Sequence, residues 1–318
     1  MIKQRTLASV IETSGTGLHT AVPVHVRLLP APPDTGYVFI RTDLGGFELP
    51  ASIEYVVNCA YATTLMRTGV MLSTVEHLLA ALRGACVDNV YIEIDNLEVP
   101  IMDGSSEVFT DLIERAGCIE QDESRHALRV RREVVFEQGA RRVSLSPSDG
   151  YEIECMIDFE HPLIGAQTAT FDASDRVIAR NFASEISAAR TFGFVAEIEA
   201  LRKANLVRGG SLDNAIVLTP DGMLNPGGLR WADEFVRHKI LDIIGDLALV
   251  GMPLLARVTA SRSGHALHTG VLAKLLRDDT AWEIVDMPET QSFIHERDAP
   301  TFADERENLN FARNRIHP

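Results

Sequence analysis

WADEFVRHKILDIIGDLALVG, residues 231–251, reads as one helix that is apolar nearly all round. Phe235, Val236, Ile240, Leu241, Ile243 and Ile244 are followed by Leu247, Leu249 and Val250, which leaves no solvent face, so the helix belongs inside the fold. His238, Asp242 and Asp246 interrupt it at four-residue steps, and that spacing stacks three ionisable side chains on one face. Burying two carboxylates without partners costs on the order of several kcal/mol each, so positive charge must face the stripe. A bound metal cation meets that requirement.

Downstream of this helix, PLLARVTAS is strand-like and SRSGHALHTGVLAKLLRD is a glycine turn running into a second helix. The same order occurs earlier in the chain. MLSTVEHLLAALRG, residues 71–84, predicts a helix opened by a capping box of Ser73 and Glu76 and stopped by Gly84. DNVYIEID then predicts a strand, and PIMDGSSEVFTDLIERAG a turn and a helix. His77 precedes Gly104 by 27 positions and His238 precedes Gly264 by 26, the mark of an internal duplication. If the two halves face each other, His77 and His238 can point at one ion.

The remaining segments are plainer. Residues 1–60 predict short strands and turns, with Gly15-Thr16-Gly17 as a turn. CIEQDESRHALRV, around residues 118–130, is polar enough to be the linker between halves. REVVFEQ, RRVSLSP and YEIECMIDF open the second half as strands, and residues 181–218 begin as a helix. The chain from about Met287 is polar, with weak periodicity, and predicts a loose tail.

A chain of 318 residues suits two domains, and 46% hydrophobic with 24% charged residues is an ordinary globular composition. The net charge of −15 argues against a nucleic-acid partner, which needs a basic face. No secretory h-region and no membrane-spanning stretch are visible, and the four cysteines show no CxxC spacing. Cytoplasmic localisation is the expectation.

His77, His238 and Asp242 form a two-histidine, one-carboxylate set that suits zinc with one position open; iron is the alternative ion for the same ligands. Glu76, beside His77, is placed to take a proton from water. His265 is placed to donate a proton or steady an oxyanion, with Asp246 as its partner.

TVEH at 74–77, IMDGS at 101–105, RTFGF at 190–194, GGSLDNAIV at 209–217, DEFVRHKILDIIGDL at 233–247 and SGHAL at 263–267, taken in order, resemble the UDP-3-O-acyl-N-acetylglucosamine deacetylases of lipid A biosynthesis. The resemblance runs to about residue 285. It implies an α+β fold of two similar two-layer α/β sandwich domains, residues 1–122 and 127–285, with residues 286–318 as a polar tail. It also implies zinc on His77, His238 and Asp242, Glu76 as general base, His265 as acid with Asp246 behind it, and Thr191 on the oxyanion. Lys239 and Phe192 fall at substrate-contacting positions, and residues 193–218 would supply a passage for the acyl chain, with Leu18 at its mouth. The expected substrate is a UDP-linked acylated glucosamine, handled by a monomer in peripheral contact with the inner membrane. Two departures stand out: HTGVL follows SGHAL, and Ala62 stands where some members carry cysteine. A non-catalytic homologue that binds zinc and nucleotide sugar is the alternative.

Overall fold

The computed structural model describes residues 2–287; the tail expected over 286–318 lies outside the described residues except for its first two positions. The first half contains β1 (Lys3–Leu7), β2 (Ile11–Thr16), β3 (Pro23–Pro30), β4 (Tyr37–Arg41) and β5 (Phe47–Pro50). A small ribbon follows, β6 (Val56–Asn58), β7 (Thr64–Arg67) and β8 (Val70–Leu72), then helix α1 (Glu76–Gly84), β9 (Val90–Ile94), α2 (Glu107–Ala116) and β10 (Cys118–Ser124). The second half contains β11 (His126–Val130), β12 (Val134–Gln138), β13 (Arg141–Ser146), β14 (Tyr151–Phe159), β15 (Gly165–Asp172) and α3 (Asp175–Asn181), which runs into a π turn at Phe182–Ile186. β16 (Phe192–Phe194), α4 (Val195–Lys203), β17 (Ile216–Leu218), α5 (Glu234–Leu247), β18 (Leu254–Ser261), α6 (His265–Leu276) and β19 (Trp282–Asp286) complete it.

The fold is α+β, with mixed sheets and helices packed on them. One sheet has the order β2-β3-β9-β4-β5, in which β9 lies parallel to β4 and antiparallel to β3. In the other, β18 lies parallel to β14 and antiparallel to β13, with β12 and β15 at the flanks. The order of pairing is the same in both, and we propose on that basis that the halves arose by duplication and form the two domains expected. Strands alternate as half-buried strands must: Tyr151, Ile153, Cys155 and Ile157 of β14 turn inward while Glu154 and Asp158 turn out.

α5 lies on β14 and β15, α6 lies on β12 and β13, and α5 crosses α1. Every residue of α1 is buried, and the apolar side chains of both halves join in one continuous core. The crossing is close because Gly245 has no side chain. A Cβ there would stand 2.1 Å from the Glu76 carbonyl oxygen.

The structure corrects several expectations. Residues 118–130 are not a linker: β10 pairs with β1, and β11 pairs with β18 and β19. The polar reading misled because β10 exposes most of its side chains. The junction is Arg125, whose buried guanidinium donates through Nε to Asp88 Oδ1 at 2.7 Å. α1 starts at Glu76, not at residue 71, because β8 occupies Val70–Leu72, and Ser73 bonds Thr64 rather than capping the helix. Gly84 does not end α1 by a left-handed turn; it leaves room for the Phe182 ring, which a Cβ would meet at 2.3 Å. Gly15 and Thr16 belong to β2, and only Gly17 begins the turn.

Gly245→Ala should force α1 and α5 apart and cost about 1–3 kcal/mol, as overpacking of a filled core does. Urea denaturation would read this as a lowered midpoint with an unchanged slope; an unchanged midpoint would mean that the crossing yields without strain.

Candidate metal centre and catalytic cleft

The i, i+4 stripe of α5 is buried, with His238, Asp242 and Asp246 all at 2% exposure or less. His238 Nδ1 donates to the Ala189 carbonyl at 2.9 Å, which leaves the lone pair on Nε2. That nitrogen lies 3.5 Å from Asp242 Oδ1, and His77 Nε2 lies 3.8 Å from the same oxygen. Burial pushes the His77 imidazole down to about 3, helped by His238, and burial also lowers His238, so neither ring supplies a proton. Asp242 Oδ2 accepts from Lys239 Nζ at 2.7 Å, but Oδ1 is buried without a donor. Although burial opposes it, Lys239 and the surrounding histidines hold the carboxyl well below the usual carboxylate range. Two neutral imidazoles and a charged oxygen, converging within 4.8 Å, are a donor set for a divalent cation.

His77 reaches α5 because of how α1 begins. Thr74 adopts a left-handed backbone, φ 60°, unusual for a β-branched residue and held by its neighbours. Its hydroxyl donates to Glu98 Oε1 at 3.2 Å; the Glu98 carboxylate also accepts from the backbone N–H groups of His19 and Thr20. Ser106 donates to the His77 carbonyl at 2.7 Å, tying the GSS turn to the start of α1. In that turn Gly104, φ 87°, sits where a Cβ would meet Asn214 O at 2.1 Å, and its own carbonyl accepts from Thr191 N–H at 2.7 Å. Gly264 is extended, so the two turns read as equivalents in the sequence have different conformations.

Glu76 is 3% exposed. Its Oε2 accepts from Thr63 N–H at 3.1 Å, while Oε1 faces His265 Nε2 at 3.8 Å. Burial pushes its carboxyl up to about 7, against the pull of His265. His265 Nδ1 lies 2.8 Å from Asp246 Oδ2. Burial opposes the charge on this ring, but Asp246, Asp242 and Glu76 together raise it to about 10, so it is cationic at neutral pH. Asp246 falls to about 2: burial opposes ionisation, and His265 outweighs it.

Arg190 Nε donates to the buried Glu234 Oε1 at 2.8 Å, and this pair anchors the RTFGF segment to the first turn of α5. The Phe192 ring consequently lies edge-on to Phe235, near His238 and under Lys239 Nζ. A cleft of about 330 Å³ is lined by Glu76, His77, His238, Lys239, Asp242 and His265, with Thr191, Phe192 and Leu18 at its wall. Beyond Leu18 and Phe192 a second, apolar cavity of about 100 Å³ lies between Phe194, Ile198, Leu201, Val207 and Val217. Two roomier hollows, about 670 and 780 Å³, contain no histidine.

All ten residues singled out in the sequence therefore meet around one cleft or stand directly behind it. Sequence reasoning missed Thr63, Glu98 and Glu234, whose partners are remote in the chain, and it missed His268, whose Nδ1 also lies 2.8 Å from Asp246 Oδ2. His268 had one available signal, its i, i+3 spacing from His265.

The family model for UDP-3-O-acyl N-acetylglycosamine deacetylase matches residues 4–277. The UDP-3-O-acyl-N-acetylglucosamine deacetylase of Solibacter usitatus (strain Ellin6076) is 45% identical over 291 residues, covering 92% of this chain and 97% of the relative. That of Myxococcus xanthus (strain DK1622) is 49% identical over 283 residues, 89% of each.

Chelator-treated protein should take up one divalent ion per chain. Binding to the folded state alone stabilises by about 2.7 kcal/mol at a hundredfold excess over Kd, readable as a raised melting temperature. Asp242→Ala should lose that response, and a variant that responds like the parent would place the ion elsewhere.

Proposed function

The chain belongs to the UDP-3-O-acyl N-acetylglycosamine deacetylase family and is an enzyme, a metal-dependent hydrolase. From that premise we propose that it removes acetate from the 2-acetamido group of UDP-3-O-(3-hydroxyacyl)-N-acetylglucosamine, in lipid A biosynthesis, with zinc on His77, His238 and Asp242. The observation that carries the reading is the approach of Glu76 Oε1 to His265 Nε2, 3.8 Å apart on the cleft, beside the unsatisfied oxygen of Asp242. Base and acid stand side by side on one cleft, within reach of a single scissile C–N bond held there.

When bound, the cation supplies Lewis acidity toward water and the acetamide carbonyl. Glu76 takes a proton from water through Oε1, the oxygen that Thr63 leaves free. The water oxygen adds to the acetyl carbon, and the negative charge that develops on the carbonyl oxygen is met by the Thr191 hydroxyl. His265, cationic and oriented by Asp246, gives its Nε2 proton to the amine nitrogen as the C–N bond breaks, so acetate and free amine leave. Lys239 and Phe192, which flank the metal ligands, bear on the sugar, and the apolar cavity behind Leu18 takes the acyl chain. Among the described residues no helix is long and apolar enough to cross a membrane. Iron can occupy the same ligands. A homologue that only binds would need neither the free oxygen of Glu76 nor a proton-bearing His265.

The decisive experiment is acetate release from this substrate by chelator-stripped protein, before and after one equivalent of zinc. Activity that returns with zinc is expected; a folded, zinc-loaded and inactive protein would overturn the reading. Glu76→Ala should lower turnover by about 10²–10⁴-fold with metal retained. In the parent enzyme kcat/KM should follow a bell: the acid limb reports deprotonation of Glu76 and the alkaline limb loss of the His265 proton. A bound cation moves both limbs below their metal-free positions of about 7 and 10. His265→Ala should erase the alkaline limb, and an unchanged limb would remove His265 from the proton transfer.

A further inference from the structure

We propose that His268 is a positioning residue for the proton donor, the second imidazole of a fixed relay in which one carboxylate, that of Asp246, orients His265. The proposal rests on the reading of His265 as proton donor, though its geometry stands independently. His268 is fully buried and lies one turn from His265 on α6, so both rings face the same point on α5. Both Nδ1 atoms lie 2.8 Å from Asp246 Oδ2, and the Thr63 hydroxyl donates to Oδ1 at 2.6 Å. Asp246 thus accepts three hydrogen bonds and has no exposed surface.

The tautomer of His268 follows from its partners. Its Nδ1 faces a carboxylate and must carry the proton; its Nε2 lies 2.8 Å from Ser263 Oγ, whose hydroxyl can then donate to it. The relay reads Ser263 O–H to His268 Nε2, then His268 Nδ1–H to Asp246 Oδ2. His268 and His265 share Oδ2, so His268 occupies one lone pair of that oxygen and leaves the other to His265, while Thr63 holds Oδ1. Without the His268 donor one lone pair of Oδ2 is open, so His265 Nδ1 is no longer confined to a single approach to that oxygen and its Nε2 loses its aim at the cleft beside Glu76. The charged groups that face His265 are Glu76 on α1 and Asp242 and Asp246 on α5; His268 is its neighbour on its own helix.

The test compares His268→Phe, which fills similar volume without a donor, with His268→Asn, whose amide nitrogen can stand where Nδ1 stood. The expected result is a fall in kcat of about 10–100-fold for His268→Phe, the range for loss of a partner behind a working residue, with KM and zinc content little changed. His268→Asn should recover most of kcat. Equal activity of His268→Phe and the parent, or failure of His268→Asn to recover in a protein that melts like the parent, would overturn the proposal. A second readout does not depend on turnover: in ¹⁵N-histidine-labelled protein the Nδ1 proton of His265, hydrogen-bonded to carboxylate, should give a resolved downfield signal that broadens in His268→Phe and returns in His268→Asn. A signal unchanged in His268→Phe would overturn the relay even if the parent released no acetate, whereas an inactive parent with the predicted spectra would count against the deacetylase reading alone.

Discussion

Three carboxylates in the middle of this protein have almost no contact with water. Glu76, Asp242 and Asp246 are each 3% exposed or less, and isolated charges at such depth would unfold a domain of ordinary stability. Much of the surrounding architecture serves to supply their partners. Asp242 has Lys239 on one oxygen and two lone-pair-bearing imidazoles around the other; Asp246 has three donors; Glu76 has the Thr63 amide. One oxygen of Asp242 and one of Glu76 are left for chemistry.

Supplying those partners requires segments far apart in the chain to approach closely, and small residues permit it. Gly245 lets α5 touch the backbone of Glu76, and Gly104 lets its turn touch Asn214 while holding Thr191. The strained Thr74 turns the chain from β8 into α1 at the angle that brings His77 to α5, and Glu98 holds it there. Buried ion pairs of this kind add little net stability, but each specifies one arrangement: Arg190 with Glu234 fixes where Phe192 lies beside His238. Rigidity at the site is therefore built from interactions whose removal would leave a buried charge unpaired.

Legibility in the sequence varied with how local the signal was. α5, α1 and α6 were visible as apolar periodicity, and His77, His238, Asp242, Glu76 and His265 were visible as ionisable residues out of place in it. β10 was read as a linker because an edge strand with exposed side chains looks like a polar loop, and its pairing with β1 across more than a hundred residues leaves no local trace. The capping box at Ser73 was misread because its hydroxyl and backbone were already committed to Thr64, Leu97 and Val99.

The sequence alone thus pointed to a buried ionisable cluster of the kind a cation would satisfy. Helical periodicity is a local property, and two carboxylates and a histidine at four-residue steps on a buried helix can be satisfied by few things besides a cation and cationic partners. Tertiary structure decided the role of each atom. It put Thr63 on one oxygen of Glu76, shared Asp246 between His265 and His268, and left Asp242 one oxygen without a donor. The reason is physical. A hydrogen bond depends on the distance and direction between groups brought together by the packing of separate segments, and no spacing along the chain encodes either.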